Sequence, residues 1–300
     1  MTVSVEWPDI AAVTGASLGE FDAACPVCGP DRRRPANRQR KVLRVWRPEP
    51  DYATYYCARC GSRGWAKPEQ GGPARPRGDL LRAFDPVKVD RAKEAREAAR
   101  RAAWAEFTYL SADPVKGTIA ETYLASRRLN EGQDMRFAGA VPRTYDGPPA
   151  GPAMLVAVRH RAGEITGAQA THLDPEGRKI RRTTFGRVAG GAVRLAEIGA
   201  VGVLAVAEGV ETALAFNALY DVPTWAALSA VGLERFEPPD GLRRLIVAGD
   251  NDASGRGQEA ADALARRASR TCEAVVSLPP SLRGKDSTDW ADVWMREAPQ

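Results

Sequence analysis

The C-terminal third of the sequence alternates continuous apolar runs with segments of helical periodicity, beginning near Gly199. A strand that is apolar at every position is buried on both faces, which is typical of a parallel sheet covered by helices. The pattern therefore predicts an α/β fold with a parallel, Rossmann-like sheet over residues 196–300 and right-handed crossovers. The predicted strands are Val201–Ala207, Thr224–Leu228, Leu242–Ala248 and Ala274–Leu278, and the predicted helices are Glu211–Tyr220, Gly257–Arg270 and Asp289–Arg296.

Acidic residues follow three of these predicted strands, at the points where the strands end. In such sheets the functional side chains lie at the carboxyl ends of the strands, which meet at one edge. Carboxylate oxygens suit Mg²⁺ or Mn²⁺, and a divalent ion is the usual compensation for crowded negative charges. We therefore expect a metal site at this edge that includes Glu208, Asp250 and Asp252. The further ligands expected after the fourth strand are Asp286 and Asp289.

The alternative for each acidic cluster is that its side chains only cap helices. Asp252 or Ser254, for example, could cap the helix predicted to begin near Gly257. Capping accounts for one acidic residue but not for three clusters that each follow a strand, so the metal site is the favoured interpretation.

Four of the five cysteines form two pairs with the spacing of zinc knuckles, Cys25-Pro-Val-Cys28-Gly and Cys57-Ala-Arg-Cys60-Gly. Such a pair lets two thiolates reach one tetrahedral ion, and the following glycine leaves backbone N–H groups free to approach sulfur. The alternatives are disulfides, which are rare in cytoplasmic chains, or chance spacing. The pattern predicts a structural Zn²⁺ in an N-terminal zinc ribbon, and we expect Cys272 to be a buried packing residue.

The segment from Cys25 to Lys67 carries 11 Lys and Arg residues against 3 Asp and Glu residues, which leaves −3 for the remainder of a chain of net charge +5. Cations follow phosphates and aromatic faces stack on unpaired bases, so this composition favours binding of single-stranded nucleic acid. The alternatives are a solvated basic face and aromatic rings that only form the ribbon's own small core. The residues expected to contact nucleic acid are Arg38, Arg40, Lys41, Trp46 and Tyr55.

Composition divides the sequence into four segments. These are the zinc ribbon at 1–67, a linker with a charged helix at 68–110, a small α+β middle module at 111–195 and the parallel-sheet domain at 196–300. The linker is the Pro- and Gly-rich stretch Lys67–Gly78, and the charged helix is predicted at Val87–Phe107. The elements predicted in the middle module are a helix at Ala120–Leu129, β-runs at Ala153–Arg159 and Glu164–Leu173, and loops over Asp174–Ala192.

No targeting or membrane segment is expected. Residues Met1 to Ile10 include Glu6 and Asp9 and lack an apolar stretch, unlike a signal peptide. The longest apolar run, Ile198–Ala207, is too short to span a bilayer. We therefore expect a soluble, cytoplasmic protein with no membrane partner.

The acidic motifs resemble those of the Toprim domain of primases and topoisomerases. They are Glu208-Gly, a strand that ends in Asp250-x-Asp252-x-x-Gly, and Lys285-Asp-x-x-Asp289. More narrowly, Ala207–Ala215 and Ala248–Gly255 resemble the Toprim proteins of phages and mobile elements that are described as DNA primases. The likeness extends upstream and, with the zinc ribbon, covers most of the chain. The upstream stretches are Tyr123–Leu129, Leu173–Lys179 and Gly190–Leu195.

The resemblance implies roles for individual residues. Glu208 would act as an acid/base or metal contact, and Asp250 with Asp252 would hold the ion, whereas Glu211 is shared with the family but has no implied role. A later, looser acidic motif corresponds to Asp286 and Asp289.

The β-run at 153–173 resembles the segment that precedes Toprim in bacterial primases. Its basic neighbours could contact template or nucleotide phosphates, although arginine-rich loops are often only solvated. These neighbours are Lys179, Arg181, Arg182 and Arg187.

The activity implied by the resemblance is template-directed primer synthesis. Its substrates would be nucleoside triphosphates, its template single-stranded DNA, and its partner a separate replicative helicase. A first alternative is a Toprim nuclease that uses the same ion to activate water, and a second is a degenerate Toprim scaffold that only binds DNA through its ribbon. A topoisomerase is disfavoured because little chain remains for a strand-passing body.

Overall fold

The computed structural model describes residues 5–30, 35–68, 87–253, 255–282 and 286–298. Most of the predicted linker Lys67–Gly78, the possible cap Ser254 and the motif residue Lys285 lie outside the described residues. The chain divides into two compact units, Met1–Arg96 and Glu97–Gln300. Of the helices in the described part, none combines the length and the apolar character needed to cross a bilayer.

The first unit is built on an antiparallel sheet. Its elements are α1 (Trp7–Thr14), β1 (Gly19–Ala24), α2 (Pro35–Arg38), β2 (Lys41–Glu49), β3 (Tyr52–Cys57), β4 (Arg63–Ala66) and β5 (Val87–Lys88). The five strands are ordered β4-β3-β2-β1-β5. Most residues of β2 and β3 alternate between buried and partly exposed, as in a sheet with one covered face. On that face Ile10 of α1 packs with Leu43, Val45 and three of the knuckle cysteines.

Helix α3 (Arg91–Leu110) contains the boundary between the two units. It begins later than the helix predicted at Val87–Phe107, because Val87 and Lys88 pair with β1. Only Ala105 and Tyr109 of α3 are buried, which confirms the prediction of a largely solvated helix.

The second unit begins with an antiparallel sheet in the order β6-β7-β8-β9. Its elements are α4 (Ile119–Ala125), β6 (Met135–Ala138), β7 (Ala153–Arg159), β8 (Ile165–Leu173) and β9 (Lys179–Gly186). The prediction of loops over Asp174–Ala192 was wrong, because β9 occupies the middle of that range. Most of the side chains of β9 are exposed, so its sequence lacks an apolar pattern, and its ladder with β8 makes it a strand.

The remainder of the second unit confirms the predicted α/β fold. Its elements are β10 (Val193–Arg194), β11 (Val203–Ala207), α5 (Val210–Tyr220), β12 (Thr224–Ala226), α6 (Ala230–Arg235), β13 (Arg244–Ala248), β14 (Asn251–Asp252), α7 (Arg256–Ala268), β15 (Glu273–Ser277), β16 (Ser287–Thr288) and α8 (Trp290–Glu297). The sheet order is β10-β12-β11-β13-β15, and all pairs are parallel except β10 with β12.

Each face of this parallel sheet has its own core. Ala205 and Ala207 of β11 belong to a cluster that includes Tyr123 and Leu124 of α4, whereas Leu204 and Val206 belong to a cluster with residues of α7. Successive residues of a strand point to opposite faces, so burial on both faces requires a continuous apolar run. Because Tyr123 and Leu124 belong to the first of these clusters, the middle module packs on that face of the sheet.

Candidate functional site

The four knuckle cysteines form a compact group that could hold one metal ion. Their Sγ atoms all lie within 4.8 Å of one another, with Cys25 to Cys60 and Cys28 to Cys57 both at 3.9 Å. A tetrahedral Zn²⁺ with bonds of about 2.3 Å requires sulfur–sulfur separations of about 3.8 Å. Burial raises the pKa of the Cys25 thiol, and the charge of Cys57 adds to the rise. A bound cation would oppose this effect, because it stabilises the thiolates. The residues fit Zn²⁺, and in the described part of the chain no other group of three or more potential ligands lies as close together.

The residues of the ribbon predicted to contact nucleic acid differ in their exposure. Arg38, Arg40 and Lys41 are exposed and Trp46 is half-buried. Tyr55 is a correction to the sequence prediction. Its side chain is 5% exposed and packs in the core, so its ring cannot stack on a base.

Trp65 on β4 is a surface aromatic residue that the sequence analysis missed. It is 64% exposed and stands opposite Thr54, which in turn stands opposite Trp46. Residues directly opposite in a ladder share a face, so Trp65 and Trp46 lie on the same face of the sheet. The period-two pattern Arg63-Gly-Trp65-Ala-Lys67 was the signal for an exposed strand face.

Glu208 and Asp250 lie at the carboxyl edge of the parallel sheet because their strands are adjacent and in register. Ala207, the last residue of β11, stands opposite Ala248, the last residue of β13. Glu208, Asp250 and the N-cap of α8, Asp289, line one cavity of about 550 Å³. The structure therefore brings together three of the five predicted acidic ligands.

The cavity suits a divalent cation. Asp250 Oδ1 is buried and has no hydrogen-bond partner among the described residues. Burial raises the pKa of the Asp250 carboxyl to about 7, and the charges of Glu208 and Asp289 add to the rise. Burial also raises the pKa of Glu208, against the effect of a hydrogen bond from the backbone of Ala230. A bound cation would offset the crowded negative charge and complete the contacts of Asp250, so the residues fit Mg²⁺ or Mn²⁺.

The other two predicted acidic ligands do not line the cavity. Asp252 Oδ2 accepts a hydrogen bond from the backbone N–H of Gly257 at 2.8 Å, which is the capping contact considered as the alternative. The charge of Asp252 nevertheless contributes to the raised pKa values of Asp250 and Glu208. Asp286 is exposed and is not among the residues that line the cavity.

Cationic side chains of the middle module also line the cavity. Lys179 and Arg182 on β9 line it, as does Arg127, which follows α4 and lies 4.2 Å from the ring centroid of Tyr123. Arg181 stands opposite His172 in the ladder and does not line the cavity. Two of the four predicted basic residues thus line the cavity with the carboxylates, whereas Arg181 and Arg187 do not, and Arg127 was not predicted.

Glu211 links these cations to the parallel-sheet segment. The Tyr123 hydroxyl and Arg182 Nη2 both donate to its carboxylate, the latter at 2.5 Å, and Lys179 Nζ lies 3.8 Å away. Burial alone would raise the pKa of Glu211, but Arg182 and Tyr123 outweigh it and lower the pKa to about 2. Glu211 is therefore ionised at neutral pH.

Two family models match the chain. Residues 203–300 match the Toprim domain, and residues 99–195 match a domain of unknown function, DUF7146. The C-terminal part of the chain is therefore a Toprim domain, which confirms that part of the resemblance seen in the sequence. No curated protein sequence matches the chain significantly. The cavity takes its carboxylates from the Toprim segment and its cations from the segment of unknown function.

Several solved primase structures are similar to the chain. A DNA primase domain from Pseudomonas aeruginosa is 14% identical, with a TM-score of 0.43, over 66% of this chain and 74% of that one. The DnaG primase catalytic domain bound to single-stranded DNA is 16% identical, with a TM-score of 0.44, over 70% and 79%. The zinc-binding and RNA polymerase domains of the Aquifex aeolicus primase are 13% identical, with a TM-score of 0.41, over 95% and 76%. Identities this low assign no activity to the chain.

Proposed function

We propose that the chain is a primase-like nucleotidyltransferase that makes short primers on single-stranded DNA. The observation that carries the proposal is the cavity of the second unit, where Glu208, Asp250 and Asp289 are placed together with Lys179 and Arg182. Carboxylates suited to a divalent ion beside cations suited to phosphates match the needs of a metal-bound nucleoside triphosphate. The Toprim assignment of residues 203–300 supports the same conclusion.

The proposed reaction joins two nucleotides through a phosphodiester bond. A 3′-hydroxyl attacks the α-phosphate of an incoming triphosphate, its proton is removed and pyrophosphate leaves. Asp250, Glu208 and Asp289 would hold Mg²⁺ or Mn²⁺, which when bound stabilises charge on the phosphate oxygens. Lys179 and Arg182 would orient the phosphates, and Glu208 is the carboxylate proposed to accept the proton of the hydroxyl.

In this proposal the ribbon, residues 1–67, holds Zn²⁺ and the template. Phosphates would contact the exposed cations Arg38, Arg40 and Lys41, and bases would stack on Trp46 and Trp65. Primer synthesis takes place at a replication fork, so a separate helicase is the proposed partner. The remaining segments of the proposed division are a linker with a charged helix at 68–110, the middle module at 111–195 and the catalytic domain at 196–300.

Incubation of the protein with Mn²⁺, labelled nucleoside triphosphates and single-stranded DNA tests the proposal. Labelled short oligomers that require the template are expected for a primase, whereas shortening of the template without new oligomers would indicate a nuclease. Asp250→Asn is expected to abolish synthesis. Asp262→Asn, which makes the same change on the exposed side of α7, is the matched control and should retain activity. If the protein binds DNA but catalyses neither reaction, and Asp250→Asn leaves this binding unchanged, the chain is a scaffold that only binds DNA.

A further inference from the structure

Glu211 is a deeply buried charged residue that the proposed metal site leaves unexplained. It is 7% exposed, on the first turn of α5. Its two carboxylate oxygens are taken by Tyr123 and Arg182, both from the middle segment, and Tyr123 is itself fully buried. Glu211 is thus engaged with the cations of the cavity.

Stability alone does not account for this buried ion pair. The desolvation of two charges offsets most of their attraction, and apolar residues of similar volume stabilise a core at least as well. What the pair does provide is a fixed position for a guanidinium. Arg182 is on an edge strand and its side chain is 38% exposed, so Glu211 and Tyr123 are the contacts that hold its head group.

A guanidinium at this position has competing partners. Arg182 lines the same cavity as Glu208 and Asp250, so a released guanidinium would be attracted to these carboxylates at the sheet edge. Those carboxylates include Asp250, whose Oδ1 has no donor among the described residues. If Arg182 were released, it would pair with them and compete with a divalent ion for the same oxygens.

We propose that Glu211 is a positioning residue that keeps Arg182 away from the metal-binding carboxylates and in place for the phosphates of a nucleoside triphosphate. The inference rests on the proposed function for the metal site and the substrate class. The cavity can then hold an anionic and a cationic group side by side without their neutralising each other.

Binding of Mn²⁺ to the full-length, zinc-loaded protein tests this role without any substrate. Free Mn²⁺ is counted by electron paramagnetic resonance during a titration of wild type, Glu211→Gln, Arg182→Gln and the double variant. Glu211→Gln keeps the shape of the side chain but loses its charge, and we expect about tenfold weaker Mn²⁺ binding, the size of one charge-assisted contact. Arg182→Gln should stay within about twofold of wild type, and the double variant should recover wild-type affinity because the competing cation is gone.

Two controls separate positioning from a general effect of charge or of folding. Glu259→Gln removes an exposed glutamate from the first turn of α7 and should leave Mn²⁺ binding unchanged. Glu211→Asp withdraws the carboxylate by one methylene but keeps the charge. We expect Glu211→Asp to bind Mn²⁺ about threefold more weakly than wild type. This variant replaces Glu211→Gln in the test if Glu211→Gln shows no cooperative melting transition.

The inference is overturned if Glu211→Gln, or Glu211→Asp in its place, binds Mn²⁺ as wild type does. It is also overturned if the effects of Glu211→Gln and Arg182→Gln simply add, or if wild type binds no Mn²⁺. If the protein makes primers but the effects of Glu211→Gln and Arg182→Gln on Mn²⁺ binding add, only the inference is rejected. The expected Mn²⁺ result without primer synthesis would reject only the proposed reaction.

Discussion

The backbone N–H of Gly257 donates to Oδ2 of Asp252 at 2.8 Å, so a residue expected to bind metal is already a helix cap. The same carboxylate contributes charge to the acidic edge of the sheet, because it raises the pKa of Asp250. Asp252 therefore makes the capping contact that was the alternative, and it adds negative charge near the cavity without lining it.

Substitutions at Asp252 should separate capping from charge. Asp252→Asn retains an oxygen acceptor for Gly257, so the free energy of unfolding should stay within about 0.5 kcal/mol of wild type. Asp252→Ala loses the cap and should be about 1 kcal/mol less stable. Primer synthesis should fall in both variants if the charge contributes to metal binding. Urea unfolding beside the primer assay checks this, and equal loss of stability in both variants would contradict the capping role.

Asp250→Asn should trade activity for stability. The raised folded pKa means that ionised Asp250 weakens the folded state as pH rises from about 4 to about 7, and the whole penalty is present above pH 7. At pH 8, without added divalent ions, Asp250→Asn should therefore be more stable than wild type by at most about 4 kcal/mol. The difference should shrink toward pH 4, and added Mn²⁺ should stabilise wild type alone. Asp262→Asn is the control, and a less stable Asp250→Asn protein at pH 8 would count against a crowded anionic site.

Glu211 should make the stability of the folded protein fall at acidic pH. Its folded pKa of about 2 lies below the ordinary value of 4.5. Relative to its protonated form, ionised Glu211 thus contributes stability above pH 4.5, and this contribution is lost as pH falls toward 2. The loss should reach about 3 kcal/mol at most. Urea unfolding at pH 7, 4.5 and 3 should show this loss of stability in wild type and in Glu259→Gln. A loss of the same size in Glu211→Gln would exclude Glu211 as its source.

The parallel sheet could be predicted because its physical cause is local in sequence. Successive residues from Leu204 to Ala207 enter two different cores, so this part of the strand had to be apolar at every position. Glu208 and Asp250 could be placed together for the same reason, since parallel strands share a carboxyl edge.

The cationic lining of the cavity depends on contacts that are distant in sequence. Strand β9 is polar and exposed, and only its pairing with β8 makes it a strand. Tyr123 meets Glu211 across 88 residues, a distance that no local pattern can report. Tyr55 is different, because it lies two residues before the buried Cys57 on β3 and therefore shares its face. That signal was in the sequence, and it separates the buried Tyr55 from the exposed Trp65.

Cys57→Ser should remove zinc from the ribbon. Three thiolates and a hydroxyl form a much weaker site than four thiolates at 3.9 Å spacing, and the covered face of the sheet includes Cys25, Cys28 and Cys57. Zinc content should fall from one ion per chain to a small fraction. Elemental analysis measures it, and Cys272→Ser, which replaces the cysteine outside the knuckles, should retain its zinc. Full zinc in Cys57→Ser would refute the four-cysteine site.

Trp65→Ala should weaken binding of single-stranded DNA. The ring is exposed on the sheet face that also carries Trp46, and one base stacked on an aromatic ring contributes about 1–3 kcal/mol. We therefore expect a loss of about five- to a hundredfold in affinity, measured by fluorescence anisotropy with a labelled oligothymidine. Trp65→Phe should retain most of the affinity, and Tyr55→Phe should change nothing because that ring is buried. The slope of affinity against salt should stay the same in Trp65→Ala, since no phosphate contact is lost. A reduced slope with unchanged affinity at low salt would contradict stacking and indicate that the ribbon binds through its cations alone.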